Sequence, residues 1–164
     1  MSDLHPIVAA TGSSGAGTSS VTTAFEHIFR REGIKPAIIE GDSFHRYNRT
    51  QMESEVERVA ANGETLTHFG PAGNLLGELE TLLRTYPENG RGKRRHYVHT
   101  EGEGQQYAAA PGEFTPWTLL PPDPALLFYA GLPGDFVGDG ADVARHVVLR
   151  IGLLPIINLE LMQE

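Results

Sequence analysis

Pro6-Ile-Val-Ala-Ala-Thr-Gly-Ser-Ser-Gly-Ala-Gly-Thr-Ser19 passes from a short apolar run into a bend of small residues. Pro6 to Thr11 reads as a buried strand, because a brief apolar run that stops at glycine suits the interior of a sheet. Beyond the bend, apolar side chains recur at Val21, Phe25, Ile28 and Phe29, the spacing of one helical face, and Gly33 can close that helix. A strand, a small-residue bend and a helix in that order point successive backbone N–H groups and a helix dipole at one anion. Gly12 to Ser19 fits the phosphate-loop pattern at every position but one, where Thr18 stands in place of lysine. The glycines let the backbone close around phosphate oxygens, and the Ser19 hydroxyl falls where such loops coordinate magnesium. The plainer reading is a strand-to-helix turn with no ligand. If phosphate is bound, another cation must answer the charge that lysine would have met.

Pro36-Ala-Ile-Ile-Glu40 reads as a second strand, and two strands joined through a helix form a parallel crossover unit with its loops at the carboxyl edge. Gly41-Asp-Ser-Phe-His-Arg-Tyr-Asn-Arg49 follows on that same edge. Phosphoryl transfer to an alcohol needs a carboxylate to accept the hydroxyl proton, and Asp42 would lie near the terminal phosphate if the two strands are neighbours. The alternative for Asp42 is an Asx turn. His45, Arg46 and Arg49 crowd three cationic donors into five residues, which favours an anionic ligand over three solvated side chains.

Farther along, Asn48 with Gln51 has the form of a helix cap, and Met52, Val56, Val59 and Ala60 continue one apolar face that reads as core. Leu75, Leu79, Leu82 and Leu83 repeat that spacing in a helix expected from about Asn74 to Tyr86. Pro87 to Pro124 carries Gly, Pro and charge with no sustained period, and one strand is expected around His96 to His99. The basic run Arg91-Gly-Lys-Arg-Arg95 is expected to face water, with a second phosphate contact as its functional alternative. Ala125 to Ala130 and Arg150 to Asn158 read as two further buried strands. Asn158 can cap a helix from Leu159, yet six residues follow it, so the chain is expected to stop within an element.

The whole is expected to be one α/β domain over residues 1–164, a mostly parallel sheet flanked by helices and incomplete at its C-terminus. Its 164 residues, 40% hydrophobic and 21% charged, have soluble composition. Thirteen Lys and Arg against twenty-one Asp and Glu give a formal charge of -8, which disfavours nucleic acid. No cysteine is present, so disulfides, thiolate metal sites and cysteine nucleophiles are excluded, and a cytoplasmic setting fits. No apolar run spans a bilayer, and no membrane association is expected. Nothing in the sequence separates a monomer from a homo-oligomer.

The blocks Gly12 to Ser19, Ile39 to Arg49, Tyr97-Val-His99, Ala110-Pro-Gly-Glu-Phe-Thr115, Leu126 to Gly131 and Ile151 to Leu159 resemble, in the same order, the bacterial type of phosphoribulokinase in the phosphoribulokinase/uridine kinase family. Threonine in place of the loop lysine is a feature of that type. The resemblance implies a nucleoside monophosphate kinase-like fold and transfer of the ATP γ-phosphate to the 1-hydroxyl of ribulose 5-phosphate, giving ribulose 1,5-bisphosphate for the Calvin cycle. It implies that Asp42 is the general base. Gly12, Ser13, Ser14, Gly15, Ala16, Gly17, Thr18, Ser19 and Ser20 would hold ATP, with Ser19 on Mg2+, and His45, Arg49, Tyr97 and His99 would contact the sugar phosphate.

The resemblance also marks departures. The family has a magnesium-holding glutamate where this chain has Ala130, and a histidine where it has Pro133. Its members are considerably longer, and the part beyond Asn158 would bring further charged residues and a lid over ATP. Two alternatives follow, a catalytically silent nucleotide-binding or assembly module and a relative of the uridine kinases.

Overall fold

The computed structural model describes residues 4–12, 17–138 and 141–154. In chain order the elements are β1 (Ile7–Gly12), α1 (Thr18–Arg31), β2 (Pro36–Glu40), a 3-10 turn (Gly41–Phe44), α2 (Arg49–Ala60), α3 (Leu76–Asn89), β3 (Lys93–Arg94), α4 (Glu101–Tyr107), β4 (Thr118–Leu119), β5 (Leu126–Ala130), β6 (Val137–Gly138), β7 (Ala141–Asp142) and β8 (Leu149–Leu153). Four of these strands form the central sheet in the order β2-β5-β1-β8, and every pairing in it is parallel.

This order corrects one expectation. β1 and β2 are not neighbours, because β5 lies between them, pairing Ala10 with Ala130 on one side and Glu40 with Ala130 on the other. Hydrophobicity explains the choice. Leu127, Phe128 and Tyr129 are all fully buried, so β5 needs cover on both faces and a strand on both sides, which only the middle of a sheet supplies.

Side chains alternate across the sheet with a period of two. Ile7, Ala9, Ala37, Ile39, Leu127 and Tyr129 face Leu79, Leu83 and Tyr86 of α3. Ala10, Phe128 and Ala130 pack with Phe29 of α1, and Phe25 stacks at 4.9 Å from Phe128. Each fully buried Leu or Phe in these layers contributes about 1.5–3 kcal/mol of transfer free energy.

The helices follow their signals with two corrections. Asn48 and Gln51 form a complete capping box, Gln51 N–H donating to Asn48 Oδ1 at 2.8 Å and Asn48 N–H to Gln51 Oε1 at 3.1 Å. The α2 stripe is only half core: Met52 and Val59 are buried, whereas Val56 and Ala60 face outward. α3 runs on through Pro87 to Asn89 and stops where Gly90 takes the left-handed conformation, φ 62°.

His96 to His99 is not a strand of the sheet. Its backbone pairs irregularly with the loop at 112–115, Val98 N–H donating to Glu113 O and Thr115 N–H to His96 O, both at 2.9 Å. β8 ends at Leu153, so residues 155–158 of the expected last strand, and the helix expected from Leu159, lie outside the described residues.

Candidate active site

A cavity of about 370 Å³ opens where β1, β2 and β5 end, and Gly12, Glu40 and Ala130, the last residue of each, line it. Parallel strands bring this about, since all three carboxyl ends lie on one edge. Thr18 and Ser19 line the cavity from the start of α1, and Asp42 and His45 from the turn after β2. Gly12, Thr18, Ser19 and Asp42 therefore share one space even though a strand separates β1 from β2.

Gly17, at φ 86°, turns the chain into α1 in the left-handed conformation glycine tolerates. Ser20 is exposed on α1 and does not line the cavity, and Thr22, one turn on from Thr18, does. Ser13, Ser14, Gly15 and Ala16 lie outside the described residues.

Asp42 sits between two histidines. His45 Nε2 lies 3.1 Å from Oδ1 and His99 Nε2 lies 2.9 Å from Oδ2. Burial alone would raise the Asp42 pKa, but the hydrogen bonds from His45 and His99, with their charge, outweigh it and hold the carboxyl well below the usual carboxylate range. The carboxylate is ionised, and each oxygen keeps acceptor capacity beyond its histidine.

The charge on His45 follows from a neighbouring amide. Asn74 is 2% exposed, and its Nδ2 donates to His68 O at 2.6 Å and to Gly70 O at 2.8 Å, so its Oδ1 must point at His45 Nδ1, 2.9 Å away. That nitrogen is thereby the donor. A neutral ring would then turn the bare lone pair of Nε2 towards the Asp42 carboxylate, so both nitrogens carry hydrogen and His45 is the imidazolium. Burial pulls the His45 pKa down, and the bonds to Asp42 and Asn74 more than reverse this. His99 is raised chiefly by its bond to Asp42.

Tyr97 also lines the cavity, its ring 4.9 Å from that of His99 and 6.4 Å from that of His45. Arg49 does not. It opens α2, donates its N–H to Gly112 O at 2.9 Å, and rests its side chain on Gly112.

Several lining residues carried no separate signal in the sequence. His68 comes from an aperiodic loop, and burial together with the His45 charge lowers its pKa. Glu103 and Tyr107 come from α4, whose cap at Thr100 is followed by two glycines that weaken any helical pattern. Glu40 was legible only as a strand end. Its pKa is raised by burial and then by the Asp42 charge.

The basic run is neither a solvated loop nor a phosphate contact at its C-terminal end. Arg94 Nη1 donates to Ile38 O on the outer strand β2, and Arg95 Nε donates to Ser43 O at 3.0 Å. Phe114 and Trp117 stack against the Arg95 guanidinium, which explains why a cation can be half-buried here.

A parallel sheet with Gly12, the hydroxyls of Thr18 and Ser19 and an ionised carboxylate at one edge has the architecture of a P-loop kinase fold. Comparison with known proteins narrows this. The profile of the Phosphoribulokinase / Uridine kinase family matches residues 7–164, and the chain belongs to that family. It is 52% identical over 165 residues to the chromosomal phosphoribulokinase of Cupriavidus necator and 49% identical to phosphoribulokinase 2 of Cereibacter sphaeroides, covering 100% of this chain and 56% of each relative. The solved phosphoribulokinase from Rhodobacter spheroides superposes with a TM-score of 0.85 at 46% identity, over 99% of this chain and 55% of that one. The chain thus spans a little over half the length of these relatives. A putative fructose transport system kinase from Silicibacter, at TM-score 0.68 and 15% identity, shares the fold alone.

Proposed function

We propose that the chain carries the catalytic half of a phosphoribulokinase, moving the γ-phosphate of ATP to the 1-hydroxyl of ribulose 5-phosphate. The observation that carries this reading is the ionised Asp42 carboxylate, held by His45 and His99 in the cavity that Gly12, Thr18 and Ser19 also line. Asp42 accepts the hydroxyl proton as the substrate oxygen bonds to the γ-phosphorus, and the bond from that phosphorus to the bridging oxygen breaks, releasing ADP. The imidazolium of His45, with Tyr97 and His99, offers donors to the sugar phosphate. Arg49, at the head of α2, is proposed as the fourth contact.

Magnesium fits the donors present. The Ser19 hydroxyl opens onto the cavity, and among the described residues no three His, Cys, Asp or Glu form a protein-only cage. Such a cation keeps waters and phosphate oxygens in its shell. When bound, it neutralises charge on the transferred phosphate. The family's ATP dependence, the absence of cysteine and the lack, among the described residues, of any helix long and apolar enough to cross a membrane support assignment to the cytoplasm.

One observation favours a second reading, a silent nucleotide-binding module: Ala130, at the centre of the carboxyl edge, brings no carboxylate. The test is ATP-dependent, Asp42-requiring formation of ribulose 1,5-bisphosphate by the purified chain. Product sustains the kinase reading. Magnesium-ATP binding with no product at high enzyme, and product gained on Ala130→Glu, selects the silent module.

A further inference from the structure

The turn Gly41–Phe44 is a single 3-10 element, closed by a bond from His45 N–H to Asp42 O at 3.1 Å. Turns of this kind have poor internal hydrogen-bond geometry and leave their last carbonyls unpaired. Here Phe44 O accepts from Leu75 N–H at 2.8 Å, and the carbonyls on either side of it are met by one side chain: Arg95 donates through Nε to Ser43 O at 3.0 Å and through Nη2 to His45 O at 2.5 Å. The bracing is reciprocal. Ser43, 2% exposed, donates its hydroxyl back to Arg95 O at 2.5 Å. The guanidinium carbon in turn lies over Phe114, 3.6 Å from the ring centroid, with the Trp117 ring at 4.7 Å.

We propose that Arg95 is the positioning residue of the site: its fork holds the backbone of the turn so that Asp42 and His45 point into the cavity. It lines no part of that cavity and touches neither side chain, so it acts only through the turn. Arg95 and His99 lie four residues apart, so the segment that bonds the turn through Arg95 also brings His99 to Asp42. Lysine is a poor replacement for this arginine, because its compact ammonium lacks the planar fork that reaches two carbonyls from separate nitrogens and the flat face that stacks on a ring.

The inference rests on the kinase reading for its catalytic consequence but not for its geometry, and the test separates the two. Arg95→Lys, Arg95→Met and Ser43→Ala are made in the 164-residue chain. Imidazole NMR follows the titration of His45, which faces Asp42, Asn74, His68 and Tyr97, and of His99, which faces Asp42, Tyr97, Glu40 and Glu103. Both arginine variants should lower both titration midpoints, and kcat should fall about 10- to 100-fold, the effect expected of a displaced catalytic group. KM for ATP should stay within about twofold, because the Gly12 bend is untouched.

Unchanged histidine midpoints in folded Arg95 variants overturn the proposal. If circular dichroism shows both arginine variants unfolded, Ser43→Ala decides: it removes the return bond that ties the Arg95 backbone to the turn and so unseats the fork, and unmoved midpoints there overturn the proposal too. Shifted midpoints in a chain whose parent makes no product uphold the positioning role and defeat the kinase reading. Asp42-dependent turnover with unmoved midpoints does the reverse.

Discussion

Gly41 and Gly131 meet backbone to backbone. A Cβ placed on Gly131 would fall 2.5 Å from Gly41 Cα, and one placed on Gly41 would fall 2.8 Å from Gly131 Cα. The chain leaving β2 and the chain leaving β5 can therefore pass side by side only while both positions lack side chains. Gly131→Ala should cost about 1–3 kcal/mol in urea denaturation, the range for overpacking against atoms that cannot yield. Gly77→Ala is the control, since its Cβ meets nothing within 4 Å on α3, and it should stabilise by up to about 1 kcal/mol.

Asp42→Asn keeps the shape of the side chain and removes its negative charge. Phosphorylation of ribulose 5-phosphate should fall about 10²- to 10⁴-fold, the range for loss of a general base. Nucleotide affinity, measured by titration calorimetry, should change little. The imidazole signals of His45 and His99 should move to lower titration midpoints, because the carboxylate raises both.

Asn74→Leu tests the amide that dictates the His45 proton. It removes the acceptor at Nδ1 and takes the amide donor from His68 O, while Gly70 O keeps its bond from Gly73 N–H. Stability should drop by about 1–3 kcal/mol for buried groups left unpaired, and the His45 midpoint should fall.

Stability should depend on pH from both sides. Asp42 is held below its ordinary value of 3.8, so its contribution is present above that pH and is lost as pH falls through the lower folded value. His45 and His99 are held above their ordinary 6.5, so their contributions are full below 6.5 and are lost as pH rises through the higher folded values. Thermal unfolding should therefore peak between about pH 4 and 6.5 on this account, and His99→Gln should flatten the alkaline side.

The parts of this architecture that depend on local chemistry were readable in the sequence. The Asn48 cap, the α3 leucine stripe and the apolar strands follow from hydrogen-bond and burial rules that act within a few residues. The insertion of β5 between β1 and β2 is a competition among strands for the middle of a sheet, and no local pattern records its outcome. For the site, Asp42 and His45 were legible because they follow a strand directly. His68, Asn74 and Arg95 were not, since each acts through a partner at least 23 positions away in the chain. The basic run misled because charge ordinarily seeks water, and nothing near Arg95 in sequence announces Phe114 and Trp117 beneath it.

The late arrival of β5 also sets an order of events. The strand that joins the two halves of the cavity is made some 86 residues after β2 ends, so a nascent chain has Gly12 and its Asp42 turn long before it has the wedge that fixes their spacing. Until residue 130 leaves the ribosome, β1 and β2 have an unfilled slot between them, and a premature pairing of the two would have to be undone. Parallel pairings of such long sequence separation close slowly. The synthesis of residues 41–130 is thus the interval in which a chaperone would have the most to shield.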